Sequence, residues 1–263
     1  ISITINQTEN PNAFEVAGRG ELQLGILIET MRREGFELSV SRPRVLFKSD
    51  EKSGEKLEPL EEVTIDVDQD FTGIVVEKLS SRKGDMQQIK PSGGDKQRII
   101  FLIPSRSLIG YYSEFMTDTR GTGLMTRNFQ GYGSHKGSIP IKKRGVMISG
   151  VDGKSVAYAL WNLEDRGPLF IGPNEKVYSG MIIGENTKGQ DLTVNPLKGK
   201  QLTNIRAAGK DDAVDLTPPV KMDLDKYLAY INDDELVEIT PSSIRLRKVH
   251  LDPHERKRAQ RDN

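Results

Sequence analysis

Apolar and polar residues alternate at the start of the chain, a pattern that is typical of a strand with one buried face. Isoleucine occupies every second position from Ile1 to Ile5, and the turn at 10–12 leads to a return strand over 13–17. A helical pattern then runs from Leu22 to Met31. Gly35 is expected to end that helix, because glycine readily adopts the left-handed conformation found after helix C-termini. The pattern of residues 36–41 predicts a third strand. The first part of the chain is therefore predicted to be strand, strand, helix, strand.

The middle of the chain predicts a β-α-β-β-α-β order. After a solvated connector or hairpin between Lys48 and Glu62, the predicted elements are strand 63–67, helix 73–81, strands 86–89 and 96–103, helix 105–119 and strand 124–129. Ser105 is expected to cap the second helix. The apolar stripe of that helix is predicted to be Leu108, Ile109, Tyr112, Phe115 and Met116. This order is that of a split βαβ, ferredoxin-like unit.

From Tyr132 onward, short apolar runs are separated by glycine turns, which favours a mainly β domain. The predicted strands are 146–149, 154–163, 176–185, 191–194 and 243–249, with one helix from Asp223 to about Ile231 capped by Asp223. The fold class is therefore predicted as α+β, with two ferredoxin-like sandwich units, the first incomplete, followed by a mainly β domain with one short helix. The predicted domains are 1–44, 45–131 and 132–263.

Composition narrows the classes of function. The chain has 38 basic and 38 acidic residues, so its net charge gives no sign of a nucleic-acid partner. No apolar run approaches the roughly 20 residues of a membrane span, no secretory signal pattern is present, and the chain has no cysteine. We expect a cytoplasmic protein without a membrane partner. Because Ile1 lies inside a strand pattern, the sequence is interpreted as the downstream part of a longer protein.

Motifs for catalysis or cofactor binding are weak. The pair Gly18 and Gly20 lacks the Gly-Lys-Ser/Thr of a phosphate loop and the third glycine of a dinucleotide fingerprint, so a turn is favoured. His250 and His254 have the spacing of two ligands on a helix, but Pro253 interrupts that helix. The sequence therefore predicts no catalytic residue, cofactor site or metal site in this chain.

Basic residues are the main candidates for a binding site. Loop 195–210 contains four cations and no acid, which suits the neutralisation of RNA phosphates but is also compatible with an ordinary solvated loop. Basic residues at the C-terminal end of a helix can equally be explained by their favourable interaction with the helix dipole. The basic residues on the predicted strand 243–249 could likewise be solvated or contact RNA. The cations that are candidates for binding RNA phosphates are Lys198, Lys200, Arg206 and Lys210 in the loop, Arg82, Lys83, Arg106 and Arg120 at helix ends, and Arg245 and Arg247 on the strand.

Three regions of the chain carry a resemblance to a known family. Residues 103–129 contain Pro104-Ser105-Arg106, Ser113-Glu114-Phe115-Met116-Thr117 and Gly121-Thr122-Gly123-Leu124, and they resemble the fifth domain of elongation factor G-like translational GTPases, in the form found in the TypA/BipA family. Residues 14–22 and 31–35 resemble part of the third domain. Residues 157–160, 163–167 and 186–206 resemble the C-terminal domain that is peculiar to TypA/BipA.

The resemblance implies the C-terminal portion of a ribosome-activated GTPase. GTP and Mg²⁺ would bind an upstream domain, so this chain would not itself be an enzyme. Its implied partners are the large ribosomal subunit, the A-site region of the 70S ribosome, ribosomal RNA and A-site tRNA, and its implied roles are ribosome biogenesis and stress-response translation. We expect a monomer. Two alternatives stay open: a stand-alone RNA-binding module for ribosome assembly, and a ferredoxin-like regulatory domain that senses a small molecule.

Overall fold

The computed structural model describes residues 3–139, 145–199 and 215–261. The chain forms two units, one of Ile1–Arg42 with Lys143–Asn263 and the other of Pro43–Lys142. None of the described helices is both long and apolar enough to cross a membrane.

The N-terminal elements follow the predicted order. They are β1 (Thr4–Gln7), β2 (Phe14–Ala17), α1 (Glu21–Arg33) and β3 (Leu38–Ser41). β1 and β2 form an antiparallel two-stranded sheet. α1 is followed by Gly35, whose φ of 94° carries the chain away from the helix axis. The prediction of strand, strand, helix, strand is confirmed.

The unit Pro43–Lys142 is built on one antiparallel sheet. Its elements are β4 (Lys48–Ser49), β5 (Lys56–Asp68), α2 (Gln69–Ser81), β6 (Asp85–Pro91), β7 (Lys96–Pro104), α3 (Tyr111–Asp118) and β8 (Leu124–Ser134). The strands lie in the order β8-β5-β7-β6, and β4 pairs with the start of β5. This is the strand order of a ferredoxin-like sheet. The buried core lies between the sheet and the two helices and contains Val63, Ile65, Val75, Leu79, Phe101, Tyr111 and Phe115.

The predicted helix over 105–119 is wrong as a single element. Residues Ser105–Leu108 form a 3₁₀ turn, and Gly110 adopts a φ of 72° before α3 begins. This break changes the helical phase, so Tyr111 is fully buried whereas Tyr112, which was expected in the apolar stripe, is 56% exposed. The prediction that Ser105 caps the helix is also wrong, because Pro104 occupies the N-cap position of the 3₁₀ turn and Gly110 that of α3.

The C-terminal part of the other unit contains a larger sheet. Its elements are β9 (Gly145–Ser149), β10 (Gly153–Lys154), α4 (Ala157–Glu164), β11 (Lys176–Val177), β12 (Met181–Asn186), β13 (Leu192–Val194), α5 (Leu224–Tyr230), β14 (Glu235–Ile239), β15 (Ile244–Lys248) and α6 (Pro253–Arg261). The six-stranded sheet has the order β13-β9-β12-β15-β14-β3, and β10 pairs with β11 in a small separate sheet. Only β13 and β9 run parallel among the described pairs.

Several local predictions in this region need correction. Most of the predicted strand over 154–163 is helix α4, and only Lys154 belongs to a strand. Ala159 and Leu160 are buried on one side of this helix while Trp161 is exposed. The predicted strand over 176–185 is interrupted at Gly180, where φ is 89°. Strand β14 was not predicted, and the region contains three described helices where the sequence predicted one. The Asp223 side chain makes no capping bond to α5. The α+β class with mainly β content is nevertheless confirmed.

Strand β3 joins the N-terminal elements to the C-terminal sheet. It pairs antiparallel with β14, so that Val40 lies opposite Val237 and Leu38 lies opposite Ile239. Ile28 of α1 belongs to the same buried cluster as Val237 and Ile239. The sequence-based division placed these residues in separate domains, 1–44 and 132–263, and that three-domain division stays a prediction.

Candidate nucleic-acid interface

Arg82 holds the two helices of the Pro43–Lys142 unit together. It is the residue after α2, and its guanidinium donates hydrogen bonds to the Ser107 carbonyl and to Glu114 Oε1, both at 2.9 Å. The same guanidinium lies 5.1 Å from the centre of the Tyr111 ring. Only 15% of the Arg82 side chain is exposed. Because its side chain is mostly buried and is paired with Glu114, Arg82 positions the start of α3 and presents little free charge to a ligand.

Arg106 is occupied in a buried ion pair. Its guanidinium binds both carboxylate oxygens of Glu58, which is fully buried, and also donates to the Gly137 carbonyl. The Lys136 amide donates to Glu58 Oε1 at 2.7 Å. Burial by itself raises the pKa of Glu58, but the hydrogen bond from Arg106 and the amide of Lys136 outweigh it, so the pKa lies below its ordinary value. Arg106 therefore neutralises an internal carboxylate.

Arg245 and Arg247 share one carboxylate on the neighbouring strand. Arg245 Nη1 donates to Glu238 Oε1 at 3.4 Å, and Arg247 Nε lies 4.0 Å from Glu238 Oε2. Tyr178 also donates to Glu238, at 2.6 Å, and burial together with this carboxylate raises the pKa of the Tyr178 hydroxyl. The two arginines are partly exposed, so they retain some capacity for an external anion beyond this shared pair.

Lys83 and Arg120 have unusual backbone conformations and exposed side chains. Each is the second residue after a helix, at φ values of 69° and 50°, where glycine is normally favoured. In both places the next glycine donates back into the last turn, from Gly84 to Leu79 and from Gly121 to Met116. This is the Schellman arrangement. Both basic side chains are exposed at these helix ends.

No ion pair within the described part of the chain involves Lys83 or Arg120. The Lys83 carbonyl accepts a bond from Lys136, but that contact leaves the Lys83 ammonium free. The Arg120 guanidinium lies 5.8 Å from the Phe71 ring, a cation–π contact that keeps its polar edge available. Since Arg82 at the end of α2 reaches the start of α3, the two helices are antiparallel, and Lys83 and Arg120 lie at opposite ends of the helix layer.

Lys198 is the described member of the predicted basic loop. It is exposed and follows Leu197, whose side chain packs against Gly153. The other three candidates in that loop, Lys200, Arg206 and Lys210, lie outside the described residues. Among the ten predicted residues, Lys83, Arg120 and Lys198 are therefore the exposed ones that have no carboxylate partner within the described residues.

The chemistry available to these residues is electrostatic. Exposed ammonium and guanidinium groups can bind phosphate oxygens, but they supply neither a nucleophile nor a general base at neutral pH. Within the described ranges no group of His, Asp and Glu is arranged to hold a metal ion. The sequence also missed Lys154 and Lys176, which β10 and β11 place directly opposite each other. Spacing along the chain carries no signal of that pairing.

Comparison with known proteins matches both parts of the chain. The family model described as TypA/BipA C-terminal domain matches residues 144–253, and the model described as elongation factor G C-terminus matches residues 55–142. A crystal structure of a Thermus thermophilus protein aligns with 31% of this chain and 12% of that chain, at 23% identity and a TM-score of 0.30, which is too low to support a conclusion.

Curated relatives match along the whole chain. The "Large ribosomal subunit assembly factor BipA" of Salmonella typhimurium is 52% identical over 99% of this chain, and the Haemophilus influenzae protein of the same name is 50% identical over 99%. The Buchnera aphidicola protein of that name is 48% identical over 100% of this chain. The chain spans 42–43% of the length of these relatives. Together with the two family models, this similarity establishes that the chain belongs to the TypA/BipA family.

Proposed function

We propose that this chain is the ribosome-docking, RNA-contacting part of a TypA/BipA-type translational GTPase that acts in assembly of the large ribosomal subunit. The observation that carries the proposal is the identity of about half of all residues, along the entire chain, with proteins named large ribosomal subunit assembly factor BipA. In this proposal the chain contributes binding surface, and the parent protein contributes GTP hydrolysis with Mg²⁺ in a domain outside these residues.

The distribution of charge supports RNA as the contacted component. Lys83, Arg120 and Lys198 are exposed without a carboxylate partner in the described residues, whereas Arg82 and Arg106 are held by internal contacts. Each free cation can displace a counterion from RNA phosphate, which is the main source of affinity in such complexes. We place the docking site at the A-site region of the ribosome, with A-site tRNA and ribosomal RNA as partners of a cytoplasmic monomer that also serves stress-response translation.

Co-sedimentation with 70S ribosomes and with separated subunits, across a salt series, tests this proposal. The chain is expected to pellet with the large subunit and the 70S ribosome at low salt and to be released as salt rises, because phosphate contacts are screened. One variant carries Lys198, Lys200, Arg206 and Lys210 changed to Glu. A second variant carries Lys83→Ala with Arg120→Ala. Because two phosphate contacts are lost, its affinity should depend less steeply on salt, with the slope of log affinity against log salt concentration smaller in magnitude by about 2.

The control variant changes four exposed lysines elsewhere in the chain, Lys52, Lys90, Lys221 and Lys257, to Glu. It alters net charge as much as the loop variant does but leaves the proposed contacts in place. Retained binding of the control, with loss in the loop variant, would support docking through the basic loop. Equal loss of binding in both variants would show that net charge alone explains the effect. Absence of any binding at low salt would contradict the proposal.

A further inference from the structure

Three exposed lysines lie on three neighbouring segments near the start of α4. Lys154 and Lys176 face each other directly across the β10–β11 pair, which places their Cβ atoms about 5 Å apart. Like charges in that position repel and weaken a two-stranded sheet. No carboxylate of the described residues forms an ion pair with either lysine, and both side chains are exposed. The pair therefore presents two ammonium groups at the surface that have no ion-pair partner within the described residues.

Lys198 extends this positive surface. The segment that precedes it runs beside residues 153–156, since the Val156 amide donates to the Pro196 carbonyl at 3.0 Å. Leu197 packs so closely on Gly153 that a Cβ at that position would overlap its side chain. Lys198 follows immediately and is exposed. We refer to Lys154, Lys176 and Lys198 as the lysine trio.

Two neighbouring aromatic side chains, the partly buried Tyr158 and the exposed Trp161, lie on the helix that begins beside the lysine trio. Tyr158 and Trp161 of α4 have ring centres 6.3 Å apart, with their planes inclined at 38°. Trp161 is 50% exposed, whereas Ala159 and Leu160 on the opposite side of the helix are buried. Packing in the core therefore does not account for the exposed face of Trp161. Flat aromatic faces next to cations are the combination with which proteins bind unpaired nucleic-acid strands.

Acidic residues near the lysine trio are held in local hydrogen bonds. The Glu175 carboxylate accepts from the Gly172 amide at 2.8 Å, and Asp152 Oδ1 accepts from the Ser179 amide at 2.7 Å. Glu164 at the end of α4 accepts from the Thr217 amide at 2.6 Å. These carboxylates accept from backbone amides and form no ion pair with the lysines among the described residues.

We infer that the lysine trio and the Tyr158–Trp161 pair form a binding surface for an unpaired RNA strand, in which the lysines contact successive phosphates and the aromatic pair stacks on a base. The inference rests on the proposed function, and it adds the location and the single-stranded nature of one RNA contact. A paired RNA helix keeps its bases stacked on each other, so it could use the lysines but not the aromatic pair.

Trp161 gives a direct test because it is the only tryptophan in the chain. Titration of the whole chain with an unstructured oligouridylate should quench Trp161 fluorescence in a saturable manner. For single-stranded RNA, three phosphate contacts predict a slope of about −2 when the logarithm of the binding constant is plotted against the logarithm of the salt concentration. A variant with Lys154, Lys176 and Lys198 changed to Ser should lose most of this slope, while a control with Lys52, Lys90 and Lys221 changed to Ser should keep it.

A second measurement separates stacking from charge. Anisotropy of labelled oligouridylate should show that Trp161→Phe binds within about threefold of the unchanged chain, whereas Trp161→Ala binds roughly 5- to 100-fold more weakly. Trp161 is half exposed, so both variants should fold, and circular dichroism checks this.

The possible outcomes distinguish this inference from the proposed function. Absence of quenching by oligouridylate, while the chain still co-sediments with ribosomes, would overturn the surface assigned here and leave the proposed function standing. Loss of both oligouridylate and ribosome binding would overturn both. Equal affinity for duplex RNA, equal weakening by the control substitutions, or an unchanged affinity of Trp161→Ala would also overturn the assignment to an unpaired strand.

Discussion

At the scale of single residues, internal ion pairs determine which cations are available to a partner. Arg106 and Lys83 are both basic residues near helix ends, yet the first neutralises the buried Glu58 and the second has an exposed side chain. The distinction matters for mutagenesis, because loss of binding in an Arg106 variant could arise from an altered fold. Lys248 is a further example, since it is buried among Asp191, Asp234 and Glu235.

We predict that Arg106→Ala destabilises the Pro43–Lys142 unit by roughly 3 kcal/mol, because it leaves the fully buried Glu58 carboxylate without its charged partner. Urea denaturation followed by circular dichroism measures the change. Replacing both members, as Arg106→Met with Glu58→Met, should recover much of the loss, since no unpaired charge then remains. Arg120→Ala, at an exposed position, should change stability by less than about 0.5 kcal/mol. A similar loss for Arg106→Ala and Arg120→Ala would contradict this account.

The ion pair between Arg106 and Glu58 also predicts that the stability of the chain depends on pH. The pKa of Glu58 is lowered in the folded chain, so its ionised form contributes stability above its ordinary value of 4.5, and this contribution is lost as pH falls through the lowered value. Glu58→Gln should therefore flatten the acid side of the stability profile. Denaturation midpoints between pH 6 and 3 test this. An unchanged acid slope in the variant would show that other carboxylates dominate acid unfolding.

At the scale of elements, the ends of α2 and α3 combine unfavourable backbone geometry with a free charge. A residue other than glycine in the left-handed region costs roughly 1 kcal/mol. Lys83 and Arg120 occupy that region at the corresponding position of both Schellman motifs. Glycine would suit the backbone better at both positions, and we interpret the basic side chains as part of the proposed RNA contact.

We predict that Lys83→Gly raises the stability of the chain by about 0.5–1 kcal/mol and weakens ribosome binding. The first effect follows from relief of the left-handed backbone and the second from loss of one phosphate contact. Thermal denaturation and the salt slope of co-sedimentation measure them. Lys83→Ala is the matched control, because it removes the charge but retains a Cβ in the left-handed region. Equal stability of the Gly and Ala variants would argue against backbone strain at this position.

At the scale of the whole molecule, the C-terminal sheet is completed by an N-terminal strand. β3 covers the edge of β14, and its Val40 packs with the cluster that contains Val237 and Ile239. Pairing an otherwise open edge protects its backbone groups. The N-terminal elements therefore contribute to the folding of the unit that carries Lys198, Arg245 and Arg247.

We predict that Val40→Asp destabilises the unit that contains residues 143–263 by about 2 kcal/mol, because it places a charge against a buried apolar cluster. Trp161 lies in that unit, so its fluorescence during urea denaturation reports the transition. Ser41→Asp introduces the same charge at an exposed position of β3 and should shift stability by no more than about 0.5 kcal/mol. If the two variants unfold at the same urea concentration, β3 does not stabilise this sheet.

Local periodicity predicted most of the N-terminal and middle elements. The order β-α-β-β-α-β follows from alternation and helical spacing between 63 and 129, and that order specifies a ferredoxin-like unit. The prediction was wrong where local signals are ambiguous. Residues 156–161 form a continuous apolar run that suits a buried strand or a helix equally well, and tertiary packing of Leu160 selects α4.

By itself, the sequence determined the family and the elements of the ferredoxin-like unit, because contiguous motifs and short-range periodicity carry both. Only the tertiary structure decided which cations are free, since their partners are distant in the chain. Arg106 and Glu58 are separated by 48 residues, and no local pattern indicates that they meet. The pairing of Lys154 with Lys176 and of β3 with β14 likewise depends on strand register. Register is set by the burial of whole sheet faces, which short sequence windows do not record.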